Sequence, residues 1–306
     1  MLLAPMRPCV HAPMRPCVHA SMRPCVHDSS LFHYLCPHPR IVTEKIRNIV
    51  VIGSGNVAYH LVRAFRQNGV AFVQLLSRGG ANASFISDHF HVPMVTNPAE
   101  MNRDADLYVL AVRDDVIAAV SATLPIHNRL VVHTSGATSM DVLSGSGERT
   151  GVFYPLQSFT FGKDIDLSGV PVCLEAAREE DLERLRRLAL TISGNAWALS
   201  SVQRLHLHLA AVFAANFTHR MYAMASQILE GQGIPFGILG PLILETASKA
   251  VNDDPRINQT GPAIRKDMQI IRKHLQMLEK HEEFREIYGL ITKNIMNEQT
   301  GTKEEL

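Results

Sequence analysis

Ile49-Val50-Val51-Ile52-Gly53-Ser54-Gly55-Asn56-Val57-Ala58 joins an apolar, β-branched run to a Gly-x-Gly-x-x-Ala turn. The run suits a central parallel strand, and the turn is the form in which a chain cradles a dinucleotide pyrophosphate. Gly53 allows the tight turn, Gly55 lets backbone N–H groups approach the phosphates, and Ala58 keeps the next helix close to the sheet. Ser54, Asn56 and Val57 supply neighbouring N–H groups at the helix N-terminus, where an anion is favoured. Residues 56–68 then place Val57, Leu61, Val62 and Phe65 on one helical face, Gly69 follows as a helix-ending glycine, and residues 71–76 form a second apolar run. This strand–turn–helix–strand unit has the length of a Rossmann motif; the plainer alternative is a glycine-rich turn without a ligand.

The end of the second run speaks to the cofactor. An NAD-binding chain usually carries Asp or Glu there to accept from the ribose 2′-hydroxyl. This chain has Ser77 and Arg78. A carboxylate repels a 2′-phosphate, whereas a hydroxyl and a guanidinium bind one through charge-assisted hydrogen bonds, so NADP(H) is favoured over NAD(H). The bland alternative for Arg78 is a solvated loop arginine.

Strand-like runs recur at residues 91–96, 106–112, 129–133, 151–154 and 170–175, with helical patterns at 115–124 and 179–190. The fold class expected is α/β, an N-terminal doubly wound parallel Rossmann sheet. Loops at the carboxyl ends of its strands line the ligand crevice. Val112, Arg113 and Ser135 are therefore cofactor-binding candidates, and Gln157 and Ser158 offer neutral hydrogen-bond groups for a substrate. His133 is a candidate proton donor, or equally a strand-end residue hydrogen-bonded to backbone.

The pattern then turns helical. No Gly or Pro occurs between Asn195 and Gly231, so residues 202–230 read as one long helix. His208 and Asn216 share a face of it by helix geometry, as candidate proton donor and substrate-positioning amide; a satisfied buried His and Asn is the competing reading. Thr260 and Gly261 precede Pro262 at an expected helix start, whose free N–H groups could hold a substrate carboxylate with Arg265 nearby. A well-capped helix with a surface arginine explains the same residues. A final helix is expected over residues 275–295.

In the 306-residue chain, 30 Lys and Arg against 29 Asp and Glu leave a formal charge of +1, so no basic field invites nucleic acid or a membrane. No apolar run reaches the length of a membrane span. Three near-identical octapeptides, each ending Met-Arg-Pro-Cys-Val-His, occupy residues 4–27 and are too short and proline-rich to build a core. They resemble translated repeat DNA ahead of a true start. Cys9, His11, Cys17, His19, Cys25 and His27 are zinc-type ligands, but Cys-x-His spacing matches no ordinary zinc module, and no metal site is expected. Only Cys173 of the five cysteines lies outside the first forty residues, so a reducing cytoplasm is the default. The expected domains are an extension over 1–45, a Rossmann domain over 46–198, and a helical substrate and dimerisation domain over 199–306.

Six segments in order, Val-Ile-Gly-Ser-Gly-Asn-Val-Ala, Leu-Ala-Val-Arg-Asp-Asp, His-Thr-Ser-Gly, Phe-Tyr-Pro-Leu-Gln-Ser-Phe, His-Leu-Ala-Ala-Val-Phe-Ala-Ala-Asn-Phe and Thr-Gly-Pro-Ala-Ile-Arg-Lys-Asp, resemble a bacterial group. Its members pair a Rossmann-like domain with a C-terminal domain of unknown function, itself similar to the all-α C-terminal domain of 6-phosphogluconate dehydrogenase. More distant relatives by architecture are pyrroline-5-carboxylate reductase, prephenate dehydrogenase, ketopantoate reductase and deazaflavin-dependent NADP oxidoreductases. The resemblance spans about residues 46–297 and implies fold and cofactor class more firmly than reaction. It also implies a homodimer joined through the helical domains. β-Hydroxyacid dehydrogenases carry a catalytic lysine four residues before an asparagine of the long helix, whereas this chain has Val212 there. The expected activity is hydride transfer to or from a carbonyl or imine of a small, anionic metabolite; the alternative is a nucleotide-binding sensor or partner-binding protein.

Overall fold

Strand β1 (Asn48–Ile52) sorts its side chains by parity: Ile49 and Val51 join one buried apolar cluster, Val50 and Ile52 the other. A strand that is apolar at every position must be covered on both faces, and burial of each such side chain contributes roughly 1.5–3 kcal/mol. The computed structural model describes residues 44–300 apart from 127, with side chains as far as 298. The octapeptide region, with its zinc-type ligands and its reading as an extension, lies outside the described residues.

From β1 the chain passes through α1 (Asn56–Gln67), β2 (Phe72–Leu76), α2 (Ala81–Phe90), β3 (Met94–Val95), β4 (Leu107–Leu110), α3 (Ile117–Thr123), β5 (Leu130–His133) and β6 (Thr150–Pro155). These six strands pair in parallel in the order β3-β2-β1-β4-β5-β6, so the winding reverses between β1 and β4. A doubly wound sheet binds ligands at such a switch point. The register aligns Leu76, Ile52, Leu110, His133 and Val152 along the carboxyl edge.

The sheet departs from a wholly parallel one at β7 (Val172–Ala176), which runs antiparallel to β6, and β8 (Ala196–Ala198) pairs parallel with β7. A parallel crossover usually needs a helix; the loop from β6 to β7 carries none, and the chain returns alongside itself. The run expected at 91–96 is a two-residue strand.

Between β7 and β8, α4 (Glu179–Ile192) has three acids in its first turn, which suit the positive end of the helix dipole. It lays Leu185, Leu188 and Ala189 on the sheet. Asp181, with no exposed surface, accepts from Arg149 Nε and Nη2 across to β6, and Arg184 lies 3.6 Å from the same carboxylate.

The C-terminal region is helical. Its long helix is continuous but not uniform: α5 (Ser201–Ala211) passes through a π-helical stretch, Val212–Phe217, into α6 (Thr218–Glu230). Ser200 starts it with a capping box, its hydroxyl accepting from Gln203 N–H while the Gln203 side chain accepts from Ser200 N–H. After α7 (Gly240–Asn252), two expectations are corrected. No helix starts at Thr260: Gly261 (φ +110) and Lys266 (φ +53) hold a turn, and α8 (Met268–Met277) begins after Asp267, whose carboxylate caps Ile270 N–H. The helix expected over 275–295 is broken at 278–281, and α9 (Glu282–Thr300) folds back so that Leu278 and Phe284 pack against Met224. Tertiary packing here overrides a local sequence, residues 278–281, that has neither Gly nor Pro. Among the described residues no helix is long and apolar enough to cross a membrane.

Asp181→Ala leaves Arg149 without its buried partner and is expected to lower stability by about 3 kcal/mol, read as a shifted urea midpoint with an unchanged slope.

Candidate active site

The glycine turn is shaped by two different constraints. Gly53 adopts φ +113, and a Cβ there would lie 2.3 Å from the Ala111 carbonyl oxygen, so no other residue fits where β1 passes β4. Its N–H donates to Leu76 O at 2.9 Å. Gly55 has an ordinary φ of −83°, and a Cβ on it would meet nothing within 4 Å. Its smallness leaves open space in front of α1, where no side chain caps the first N–H groups. Fully buried Ala58 lets the helix sit close to the sheet. The cradle thus has donors, a helix terminus and room for a pyrophosphate, and its residues fit a dinucleotide.

Beside it, Ser77 Oγ donates to Ser54 Oγ at 3.1 Å, tying the β2 loop to the cradle. Arg78 is exposed and makes no ion pair among the described residues. Gly79 and Gly80, both left-handed, lead directly into the uncapped start of α2. A free guanidinium, a hydroxyl and a helix N-terminus therefore share one loop. Val112 backs Gly53, its Cγ1 3.2 Å from the position a Gly53 Cβ would take. Arg113 is engaged with Asp115 at 2.7 Å. Asn56 Nδ2 donates to Phe159 O, and His60 Nε2 donates to Thr160 O, so α1 holds down the loop carrying Gln157 and Ser158. Both of those residues are exposed, and Gln157 Oε1 accepts from Ser158 N–H.

At the far end of the carboxyl edge, His133 has no exposed surface, and its Nδ1 accepts from Ser135 N–H at 3.1 Å. Burial first, and the nearby Arg204 guanidinium second, push its pKa down to about 4. The imidazole is neutral and holds the turn, which matches the strand-end alternative for this residue. Ser135 is likewise occupied locally: its Oγ accepts from Ala137 and Thr138 N–H and donates to Thr138 Oγ1.

His208 has a different setting. Its Nδ1 lies 3.3 Å from the Tyr154 hydroxyl, near the end of β6 and opposite Cys173 of β7. Both rings close over Gly136, on which a Cβ would come 2.6 Å from His208 Nδ1 and 2.7 Å from Tyr154 Cζ. Burial raises the Tyr154 pKa, so its hydroxyl keeps its proton. One helical turn before His208, Arg204 is only 1% exposed; it pairs with Glu175 at the end of β7 and donates to the Thr138 carbonyl. Glu175 also accepts from Ser201 N–H and Oγ. This buried cluster pins α5 to the sheet.

Asn216 lies in the π-helical stretch, exposed, with no side-chain hydrogen bond among the described residues. π-Helical turns often occur at functional sites. Thr260 lines a separate apolar cavity of about 310 Å³ with Met224, Ala263 and Tyr288, and neither His208 nor Tyr154 is in its walls. Gly261 and exposed Arg265 lie on the same turn. Within one chain, then, the structure joins His208 to the β5 and β6 loops and does not bring the 260 turn to them.

Sequence reasoning missed Tyr154, Arg204 and Glu175. Arg204 precedes His208 by one helical turn, a spacing visible in the sequence; its partner across the fold is not. Among the described residues no group of His, Cys, Asp or Glu is arranged to hold a metal ion.

This cradle and helical region define a dinucleotide-binding Rossmann protein of oxidoreductase type. The family model for coenzyme F420-dependent NADP oxidoreductases matches residues 48–135, and that for the domain of unknown function DUF2520 matches residues 170–295. A Bacteroides fragilis protein named as a candidate NADP oxidoreductase is 36% identical, with 83% of this chain and 98% of its own covered and a TM-score of 0.77. The chain belongs to the family that joins this Rossmann domain to DUF2520. An imine reductase variant from Myxococcus stipitatus (15% identity, 83% and 94% covered, TM-score 0.57) and a pyrroline-5-carboxylate reductase from Coxiella burnetii (16%, 84% and 98%, 0.52) share the fold. No curated protein matches the chain.

An unfolded histidine near its ordinary 6.5 takes up a proton that folded His133 refuses until about pH 4. Its contribution to stability is complete above the ordinary value and is lost as pH falls through that window, by about 3 kcal/mol in all. His133→Gln is expected to flatten this part of the stability profile, measured by urea unfolding at pH 7.5, 6 and 5.

Proposed function

We propose that the protein is an NADP(H)-dependent oxidoreductase acting on a carbonyl or imine carbon of a small, anionic metabolite. The observation that carries the reading is the conjunction of an open Gly53–Gly55 cradle with a polar pair, His208 and Tyr154, on the carboxyl edge of the same sheet. When bound, the dinucleotide supplies or accepts a hydride. The chain's own residues then have separable tasks. The N–H groups after Gly53 hold the pyrophosphate, Ser77 and Arg78 hold a 2′-phosphate, and Val112, Arg113 and Ser135 border the cofactor. His208 handles a proton and Asn216 orients the substrate; Gln157 and Ser158 stand at the mouth. His133, buried and neutral, serves by fixing the Ser135 turn.

Preference for NADP(H) is supported by the absence of a carboxylate after β2 and by the unpaired Arg78 in its place. The anionic character of the substrate is supported by the exposed Arg265. A sensor that binds the nucleotide without hydride chemistry is favoured by one feature, Val212 in the position of the β-hydroxyacid dehydrogenase lysine. A balanced charge and a single buried cysteine in the described region support a cytoplasmic protein with no nucleic-acid or membrane partner.

A homodimer is part of the proposal. Leu205, Leu209, Phe213 and Phe217, spaced four apart on the long helix, are 48%, 56%, 62% and 49% exposed, and α7 buries no residue in its own chain. Patches this continuous mark an interface. Arg265 and the 260 turn, remote from His208 within one chain, belong to the same helical region.

Fluorescence titration is expected to give tighter binding of NADPH than NADH. Arg78→Ala should weaken NADPH alone by about 10- to 100-fold, the range for a hydrogen-bonded charge; equal loss for both cofactors contradicts the assignment. Sedimentation equilibrium should give twice the chain mass, and Leu209→Glu with Phe213→Glu should yield monomer.

A further inference from the structure

We propose that Tyr154 is a catalytic proton donor and that His208 is its relay, an inference that rests on the oxidoreductase reading above. Three observations carry it. The phenol lies at the end of β6, two residues past the point where Val152 registers with His133, and so projects beyond the edge that carries the cofactor loops. Its hydroxyl meets His208 Nδ1 at 3.3 Å, the one side-chain hydrogen bond of either group among the described residues. Gly136 keeps the space between the β5 turn and the two rings clear, since even a methyl group there would overlap both.

Tyr154 on β6 and His208 on α5 are both half-buried. Burial is the main reason the phenol keeps its proton, with Cys173 on β7 and Asp114 after β4 acting in the same direction; Arg204 on α5 favours the phenolate and opposes them in part. A protonated phenol is a donor, and it needs a source from which to recover its proton.

Reduction of a C=O or C=N bond, with NADPH as the reductant, forms a C–H bond with the hydride pair and leaves one proton to be supplied at oxygen or nitrogen. The Tyr154 O–H bond breaks as that heteroatom–H bond forms. The Nδ1–H bond of protonated His208 then breaks as the phenol O–H is restored, and the imidazole regains its proton from solvent. In the oxidative direction each transfer reverses. This order requires Nδ1 to donate to the phenol oxygen, which leaves the phenolic proton free for the reacting atom.

The test uses the full chain, NADPH, and as probes pyruvate, 1-pyrroline-2-carboxylate and the small-molecule fraction of a cell extract. Tyr154→Phe is expected to lower kcat by about 10²- to 10⁴-fold, the usual reach of general acid catalysis, with NADPH affinity within about twofold of the parent. Independently of turnover, the nitrogen-15 resonance of His208 Nδ1, assigned by its loss in His208→Gln, is expected to move in Tyr154→Phe and in Gly136→Ala, which wedges the pair apart. A parent enzyme that turns over a probe while Tyr154→Phe keeps its kcat, or a His208 resonance that does not move, overturns the proposal and leaves the oxidoreductase reading intact. A parent enzyme that binds no NADPH, or binds it and oxidises it with none of the probes, overturns that reading and the proposal together.

Discussion

Arg204 is the constraint on which the arrangement of the site depends. A guanidinium with almost no access to solvent must be neutralised and hydrogen-bonded where it sits, and here Glu175 and the Thr138 carbonyl do so. Those partners belong to β7 and to the turn after β5, whereas Arg204 belongs to the first α-helical turns after the sheet ends. The cluster therefore fixes the long helix against the carboxyl edge at one rotation. His208, one turn further on, is delivered over Gly136 as a consequence. Burial first, and the same guanidinium second, hold His133 neutral.

Glycine enforces the other half of the geometry by space. At Gly53 the neighbouring carbonyl excludes any side chain, so the β1 and β4 loops come close enough to share a ligand. At Gly136 the excluded volume is filled by the rings of His208 and Tyr154. Gly55 is different, because nothing in the chain fills its open side. A small residue facing open space at an uncapped helix terminus is an arrangement that suits an anionic ligand.

Much of this was legible in the sequence because it is local. The β-branched run of 49–52, the Gly-x-Gly-x-x-Ala turn and Ser77-Arg78 place the cradle without reference to distant residues. The absence of Gly and Pro likewise marks the long helix, although the π-helical stretch around Asn216 left no pattern to read. What failed depended on long-range partners. The three-residue β8 exists because β7 offers it an edge. Asp267, not Thr260, caps α8 because Gly261 and Lys266 first complete a left-handed turn. Arg204 and Glu175 meet across 29 positions, with nothing in either local sequence to announce the other.

The central claim is that this site performs hydride chemistry rather than only holding a nucleotide. It is tested most directly by supplying NADPH deuterated at the transferable position together with the small-molecule fraction of a cell extract, and following nicotinamide absorbance and deuterium by mass spectrometry. Hydride chemistry gives loss of the reduced cofactor with deuterium carried at a carbon of one product. Tight binding of NADPH that remains fully reduced, with no deuterated product, would contradict it and leave a nucleotide-binding sensor.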